Sequence, residues 1–394
     1  MNGLPTSTTI DPPARLAALL EEPAPSVRQR EQAMAREVSQ ADLGRLILFG
    51  AGTLGRHALG KLRSAGVEPL AFADNDPKAW GTTVDHLRVL GPSDAAAQFG
   101  GDVLFVVTIY TGRKVQLQLA AMGLRVAPFA KLFMKFPGVL WPYWSLDWPS
   151  HTLESAAVIR RGLDVWAEES SRIEYVAQVR YRLWQDEDLP PSLPPAETYF
   201  PDDLFVRDPN ETFVDCGAYD GDSLRGFLGR YGQNFRRIIA IEPDPMNCRR
   251  LRDYVNALDA PYHDKVKVLE LAAGARREVV QFMADGEVWS GVNEAGAIGV
   301  TCAPLDEALV NETPTFIKMD IEGAEPEAMA GAARVLREQA PVLAICLYHR
   351  AEHLWELPLL IKSLNPDYHL FLRRYSDATW EQVCYAVPTH RLRQ

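Results

Sequence analysis

A chain of 394 residues has room for about two to three domains, each with its own core. At 47% apolar and 24% charged residues it has the balance of an ordinary globular protein, and a net charge of −11 argues against nucleic acid or an anionic membrane as a partner. No apolar run approaches the ~18 residues of a membrane span, and the cysteines stand singly without a CxxC pair, so reduced thiols and a cytoplasmic location are expected.

Residues 1–40 read as a tail rich in Pro, Ala and charge, in which Leu16, Leu19 and Leu20 fit one short amphipathic helix stopped by Pro23 and Pro25. A first Rossmann-like domain is expected over 41–130. The apolar strand Arg45–Phe49 runs into Gly50-Ala-Gly52-Thr-Leu-Gly55 and a helical stretch, and a second strand ends in Asp74 roughly twenty residues on. Gly50, Gly52, Gly55 and Asp74 therefore form a candidate nucleotide or nucleotide-sugar site. The run Ala73-Asp-Asn-Asp-Pro…Trp80-Gly81 resembles the small Rossmann domains at the N-termini of sugar-modifying enzymes, some of which bind a sugar nucleotide. A scaffold or self-association domain with a relic loop is an equal alternative, and a homo-oligomer is compatible with it.

Residues 131–198 read as a helical linker. Phe133, Phe136, Trp141, Tyr143, Trp144 and Trp148 are interleaved with prolines, a composition suited to filling a seam. One or two helices follow from Leu153 to Trp184, and Pro190 to Pro195 marks a break before a second domain at 199–394.

That second domain is organised around Phe213-Val-Asp-Cys-Gly-Ala-Tyr-Asp-Gly-Asp222, a buried strand, a tight turn with Gly217 and Gly221, and a helix carrying Leu224, Phe227 and Leu228. The next strand, Arg237–Ile241, ends in Glu242, at the offset where an acid accepts hydrogen bonds from a ribose. A pyrophosphate fingerprint would need glycine at 219 and 222, where Tyr219 and Asp222 stand. Asp215, Asp220 and Asp222 would repel phosphate and suit a cationic nucleoside. The pattern resembles the S-adenosylmethionine (SAM) site of class I methyltransferases, with Asp215, Gly217, Ala218, Tyr219, Gly221, Asp222 and Glu242 as cofactor contacts and Ala272 and Ala273 flanking the adenine.

The Gly-rich loop from Ser290 to Ala297 has the composition of a lid. Further on, Thr315–Asp320 and Pro341–Tyr348 read as strands that deliver Asp320, Glu322 and His349 to the same rim. Glu325 is expected to solvate a helix N-terminus. The string His349-Arg-Ala-Glu352-His353 matches one zinc-peptidase pattern, but His349 ends a strand and no further ligand stands out, so no metal is expected. An imidazole with a pKa near ~6.5 suits His349 as general base, with Asp320 positioning the acceptor or the SAM amine and Glu322 next in line.

Three stretches, Val214–Asp222, Ile317-Lys-Met-Asp-Ile-Glu-Gly-Ala-Glu325 and Leu347-Tyr-His349 with Leu354-Trp-Glu356, together resemble the FkbM-type methyltransferases over roughly 199–388. The resemblance implies an α/β protein of two Rossmann-like doubly wound domains joined by the helical and aromatic linker, the second a class I methyltransferase fold. It implies SAM as cofactor and methyl transfer to a hydroxyl of a sugar, nucleotide sugar or bacterial glycan. A nicotinamide-dependent sugar oxidoreductase built on Gly50–Gly55 and a non-catalytic sugar-nucleotide sensor are the alternative readings.

Overall fold

The structure is a computed structural model that describes residues 11–110, 112–136, 146–186, 189–283, 291–292, 296 and 298–393. Trp141, Tyr143 and Trp144, and most of the Gly-rich loop after Ser290, lie outside the described residues. Two compact units divide the chain. One comprises Met1–Ala157, Val176–Pro191 and Ser376–Trp380, and the other Val158–Tyr175, Ser192–Tyr375 and Glu381–Gln394. No described helix is long and apolar enough to cross a membrane.

The first unit carries strands β1 (Leu46–Phe49), β2 (Ala71–Ala73), β3 (Thr83–Val84), β4 (Leu87–Leu90), β5 (Leu104–Val107) and β6 (Arg125–Pro128), in the sheet order β3-β4-β2-β1-β5-β6. All neighbours pair in parallel except β3 with β4. Residues of β1, β2 and β5 are buried throughout, as strands covered on both faces must be.

The expected tail is helical. Helices Pro12–Leu20 and Ala24–Glu37 bury Leu16, Leu19, Leu20, Val27 and Met34. Pro25 opens the second helix instead of ending the first, because the first turn has no intrahelical partner for the N–H that proline lacks. Arg30 ties this helix down. Its Nε donates to Leu183 O at 2.9 Å, its guanidinium lies 3.9 Å from the centre of the Trp184 ring, and Glu22 holds its far edge. Arg30→Ala should lower stability by about 1–2 kcal/mol, the size of a half-buried cation–π contact with its hydrogen bonds. A urea midpoint equal to wild type would contradict this.

The second unit holds β7 (Thr212–Cys216), β8 (Arg237–Ile241), β9 (Val266–Leu269), β10 (Ala272–Ala273), β11 (Glu278–Met283), β12 (Gly291–Val292), β13 (Ile298–Ala303), β14 (Phe316–Met319), β15 (Val342–Cys346), β16 (His369–Arg374) and β17 (Gln382–Val387). Its main sheet runs β16-β17-β15-β14-β7-β8-β9. Only β17 is antiparallel to its neighbours. A smaller sheet runs β10-β13-β11-β12. Aromatic side chains bolt helix Asp222–Tyr231 to the main sheet. Phe227 stacks on Phe213 of β7 at 4.7 Å and on Tyr231 at 4.1 Å, and Phe200 meets both Phe213 and Phe316 edge-on.

The second unit does not start at Tyr199. Residues 158–175 belong to it and line the edge strand β16. Ala167 N donates to Leu370 O at 2.9 Å, Leu372 N donates to Ser171 Oγ at 2.9 Å, and Arg374 Nε donates to Glu174 at 2.8 Å. What the sequence suggested as a linker thus supplies the flank of a sheet, through partners some two hundred residues away that local patterning cannot reveal.

Candidate active site

Chain direction fixes the location. From β7 the chain crosses to β8 on one side, while β14 pairs on the other, so a crevice opens above the carboxyl ends of β7 and β14. The glycine turn floors it. Gly217 has φ +78°, and a Cβ there would lie 1.9 Å from Asp320 O, so the turn and the end of β14 touch backbone to backbone. Gly217 N and Ala218 N donate to Ile241 O at 3.0 and 3.1 Å, which sets the turn beside the end of β8. Tyr219 also has positive φ, and Gly221, at φ +92°, caps helix Asp222–Tyr231.

Glu242 closes this side. One carboxylate oxygen accepts from Tyr219 N and the other from Asp244 N, both at 2.9 Å. Burial pushes its pKa up to about 7, against the pull of those N–H groups and of Lys318. Each oxygen keeps a second lone pair for a ligand hydroxyl.

Asp215 has a different place from the one expected. It is wholly buried, and Lys318, its register partner on β14, lies 3.0 Å away and donates to Gly217 O at 2.8 Å. The carboxylate accepts no hydrogen bond among the described residues, and desolvation raises its pKa to about 6. The neighbouring carboxylates hold Lys318 firmly in its charged form. Asp220 is likewise paired, with Arg225 at 2.6 Å. The acidic rim is therefore partly neutralised from within, and Asp215 serves as counter-charge to Lys318, which in turn holds the turn at Gly217 O. Ala272 and Ala273 also move. They form β10 of the smaller sheet, paired with Cys302 and Ala303, instead of extending β9.

Across the crevice, Asp320, Glu322 and His349 converge as expected. His349 Nε2 is 3.0 Å from Asp320 Oδ1 and 3.9 Å from Glu322 Oε1. Its Nδ1 is 2.7 Å from Glu325 Oε1, a fully buried carboxylate that also accepts from Ile321 N. Glu325 is thus more than a helix-end acid: it orients His349, and its other oxygen lies 3.4 Å from His353 Nδ1. The phenols of Tyr199 and Tyr348 donate to Asp320 at 2.7 and 3.1 Å. His349 and Lys318, with the Tyr199 phenol after them, hold Asp320 well below the usual carboxylate range despite its burial. Burial raises Glu322 to about 8 and Glu381, before β17, to about 7.

His349 is surrounded by carboxylates, and they raise its pKa well above the ordinary imidazole value against the cost of burial. The expectation of an imidazole free near ~6.5 is corrected accordingly: with no other cation present, its place among three acids keeps it protonated. Sequence reasoning also missed Lys318, Tyr199 and Tyr348. A lysine inside the apolar run Phe-Ile-Lys-Met was the one available signal, since a buried ammonium demands a partner.

In the first unit, Gly50 has φ +113° and packs against Thr108 and Ile109, and a Cβ on Gly55 would lie 1.9 Å from Gly50 O. Only Gly52 faces open space. Asp74 accepts from Ala51 N and Asp76 N, both at 2.9 Å. Its carboxylate clasps the loop as Glu242 clasps the turn of the second unit. Nearby, Leu54, Ile109, Tyr110, Arg113, Phe129 and Trp380 line a cleft in which Tyr110 and Trp380 meet edge-on at 5.7 Å.

Comparison with known proteins adds the chemistry. The family described as methyltransferase FkbM domain matches residues 215–377. The chain is similar to the crystal structure of a methyltransferase FkbM from Methylobacillus flagellatus, at 23% identity and a TM-score of 0.74, over 95% of this chain and 100% of that one. That likeness covers the fold of both units. A putative rRNA methylase from Clostridium thermocellum (9% identity, TM-score 0.31, 48% of this chain and 90% of that one) is far more distant. So is a fibrillarin from Aeropyrum pernix solved with bound SAM (12%, TM-score 0.30, 46% and 69%). At that level neither informs the reaction of this chain. No curated protein matches.

Proposed function

From the premise that the chain carries an FkbM methyltransferase domain at residues 215–377, we propose that it is a SAM-dependent O-methyltransferase acting on a hydroxyl of a sugar, nucleotide sugar or glycan. The family uses SAM in general. The observation that carries it is the glycine turn of β7 locked beside Glu242, each of whose oxygens accepts one backbone N–H and keeps capacity for a second donor. Gly217, Ala218, Tyr219, Gly221 and Asp222 would line the nucleoside, and Glu242 would take the ribose hydroxyls.

With SAM bound, the acceptor oxygen would attack the methyl carbon, the C–S bonding pair would return to sulfur, and the hydroxyl proton would pass to a rim carboxylate such as Glu322 or to water. SAM supplies an already activated methyl, so the protein's task is alignment and proton removal. Asp320, Glu322 and His349 stand across the crevice from the turn, where an acceptor hydroxyl would enter. Asp320, held ionised chiefly by His349 and Lys318, is suited to orient that hydroxyl. In the first unit Asp74 accepts from Ala51 N and Asp76 N in the same pattern, which suits a nucleotide or nucleotide-sugar ligand as well as it suits a scaffold.

Full-length protein incubated with methyl-labelled SAM and a panel of nucleotide sugars and glycans should transfer label to at least one acceptor, in an alkali-stable ether linkage. Binding of a nicotinamide cofactor with no detectable SAM binding would replace this reading with the oxidoreductase.

A further inference from the structure

We propose that Asp320, Glu322 and His349 form a binding site for a divalent cation of the Mg²⁺ or Mn²⁺ kind. One ligand atom from each of the three residues lies within 4.8 Å of the other two. The 3.0 Å between His349 Nε2 and Asp320 Oδ1 is close to the ~3 Å between adjacent ligands of an octahedral ion with bonds near ~2.1 Å. The 3.9 Å to Glu322 needs a small inward shift of one half-buried side chain.

A second observation points the same way. His349 Nε2 is buried and has no hydrogen-bond partner, since its approach to Asp320 lacks hydrogen-bond geometry. Its other nitrogen faces the buried Glu325 at 2.7 Å. A carboxylate there keeps hydrogen on Nδ1, so an ion bound at Nε2 would displace the proton that Nε2 otherwise turns toward the Asp320 and Glu322 carboxylates. The ion would then replace that proton as the positive charge the two carboxylates share. The Glu325–His349 contact is the usual outer-shell arrangement behind a metal-bound imidazole, and the phenols of Tyr199 and Tyr348 fix Asp320 in the same way. Two carboxylates with one imidazole favour a hard, oxygen-preferring ion and leave open coordination positions.

Those positions suggest a use, which rests on the methyltransferase reading above. An acceptor hydroxyl bound to the ion would lose its proton more readily and be held toward the methyl group. The binding claim itself does not depend on that reading.

Full-length protein stripped with EDTA is titrated with Mn²⁺ while the resonance signal of the free ion is followed. One equivalent should be taken up and released by excess Mg²⁺. Affinity should fall about 10–100-fold in Glu322→Gln, in His349→Gln and in the outer-shell variant Glu325→Gln, with circular dichroism confirming that each remains folded. Glu322→Gln, altered at the least buried of these positions, serves if the others unfold. No uptake by the stripped wild-type protein overturns the proposal, as does uptake at full affinity in Glu322→Gln. SAM titration of the same stripped sample separates the two readings: SAM binding together with a failure to take up Mn²⁺ overturns the metal site alone, and Mn²⁺ uptake together with a failure to bind SAM overturns the methyltransferase assignment alone.

Discussion

Lys318→Met is expected to cost about 3–5 kcal/mol of stability, because it leaves Asp215 fully buried with no counter-charge. The loss also frees Gly217 O, which Lys318 now holds at 2.8 Å, so the turn above β7 should loosen together with the core beneath it. Urea unfolding followed by circular dichroism measures the effect. The double variant Asp215→Leu/Lys318→Met should recover much of the loss, since a well-packed apolar pair can replace a buried ion pair at little net cost. A single variant within ~1 kcal/mol of wild type would mean that water reaches Asp215, contrary to its burial.

Glu242 should govern SAM affinity through both its identity and its charge. Removing it in Glu242→Ala should weaken binding by ~1.5–3 kcal/mol, or about 10–150-fold. Its folded pKa of about 7 lies above the ordinary 4.5, so the folded protein retains a proton that the unfolded chain has lost. The contribution of this group to stability therefore declines as pH rises from 4.5 to about 7 and is constant above that. Ligand binding has the opposite sign, because ribose hydroxyls donate to the carboxylate. Wild-type affinity should fall about tenfold from pH 8 to pH 6, and calorimetry should record proton release on binding near neutrality. The charged neighbours are Asp244 and Lys318, and Cys248 Sγ donates to the main chain of Glu242 at 3.0 Å. Burial together with the Glu242 charge raises the Cys248 thiol to about 12. Glu242→Gln should abolish the slope. A slope that persists in that variant assigns it to another group.

Much of the fold and of the rim was legible because it is written in short-range pattern. A strand, a glycine turn, a helix and an acid about twenty residues on are local features, and they located Gly217, Gly221 and Glu242 and placed Asp320, Glu322 and His349 at one sheet edge. What was not legible depends on register. Asp215 looked like part of an anionic rim until the pairing of β7 with β14 set it against Lys318. Glu325 looked like a helix-end acid until the neighbouring strand brought His349 onto it. Likewise, burial among carboxylates changed the protonation of His349, which residue type alone could not foretell. The N-terminal helices were underrated because what Arg30 docks on, Leu183 and Trp184, lies more than a hundred residues along the chain.

The path of the chain between its two units limits how the protein can be taken apart. Helix Glu169–Trp184 begins in one unit and ends in the other, and the five-residue loop Ser376–Trp380 leaves the second unit just after β16 and returns just before β17. A clone beginning at residue 199 would keep every residue assigned to the crevice yet delete Glu168, Ser171 and Glu174, stranding the nearly buried cations Arg373 and Arg374 on an edge strand. Such a fragment should aggregate instead of yielding a minimal enzyme, and domain shuffling at that boundary should fail for the same reason. The smallest piece worth expressing starts ahead of Val158, and because the chain passes between the units at residues 175–176 and again at 376–380, the two are best handled as one gene product.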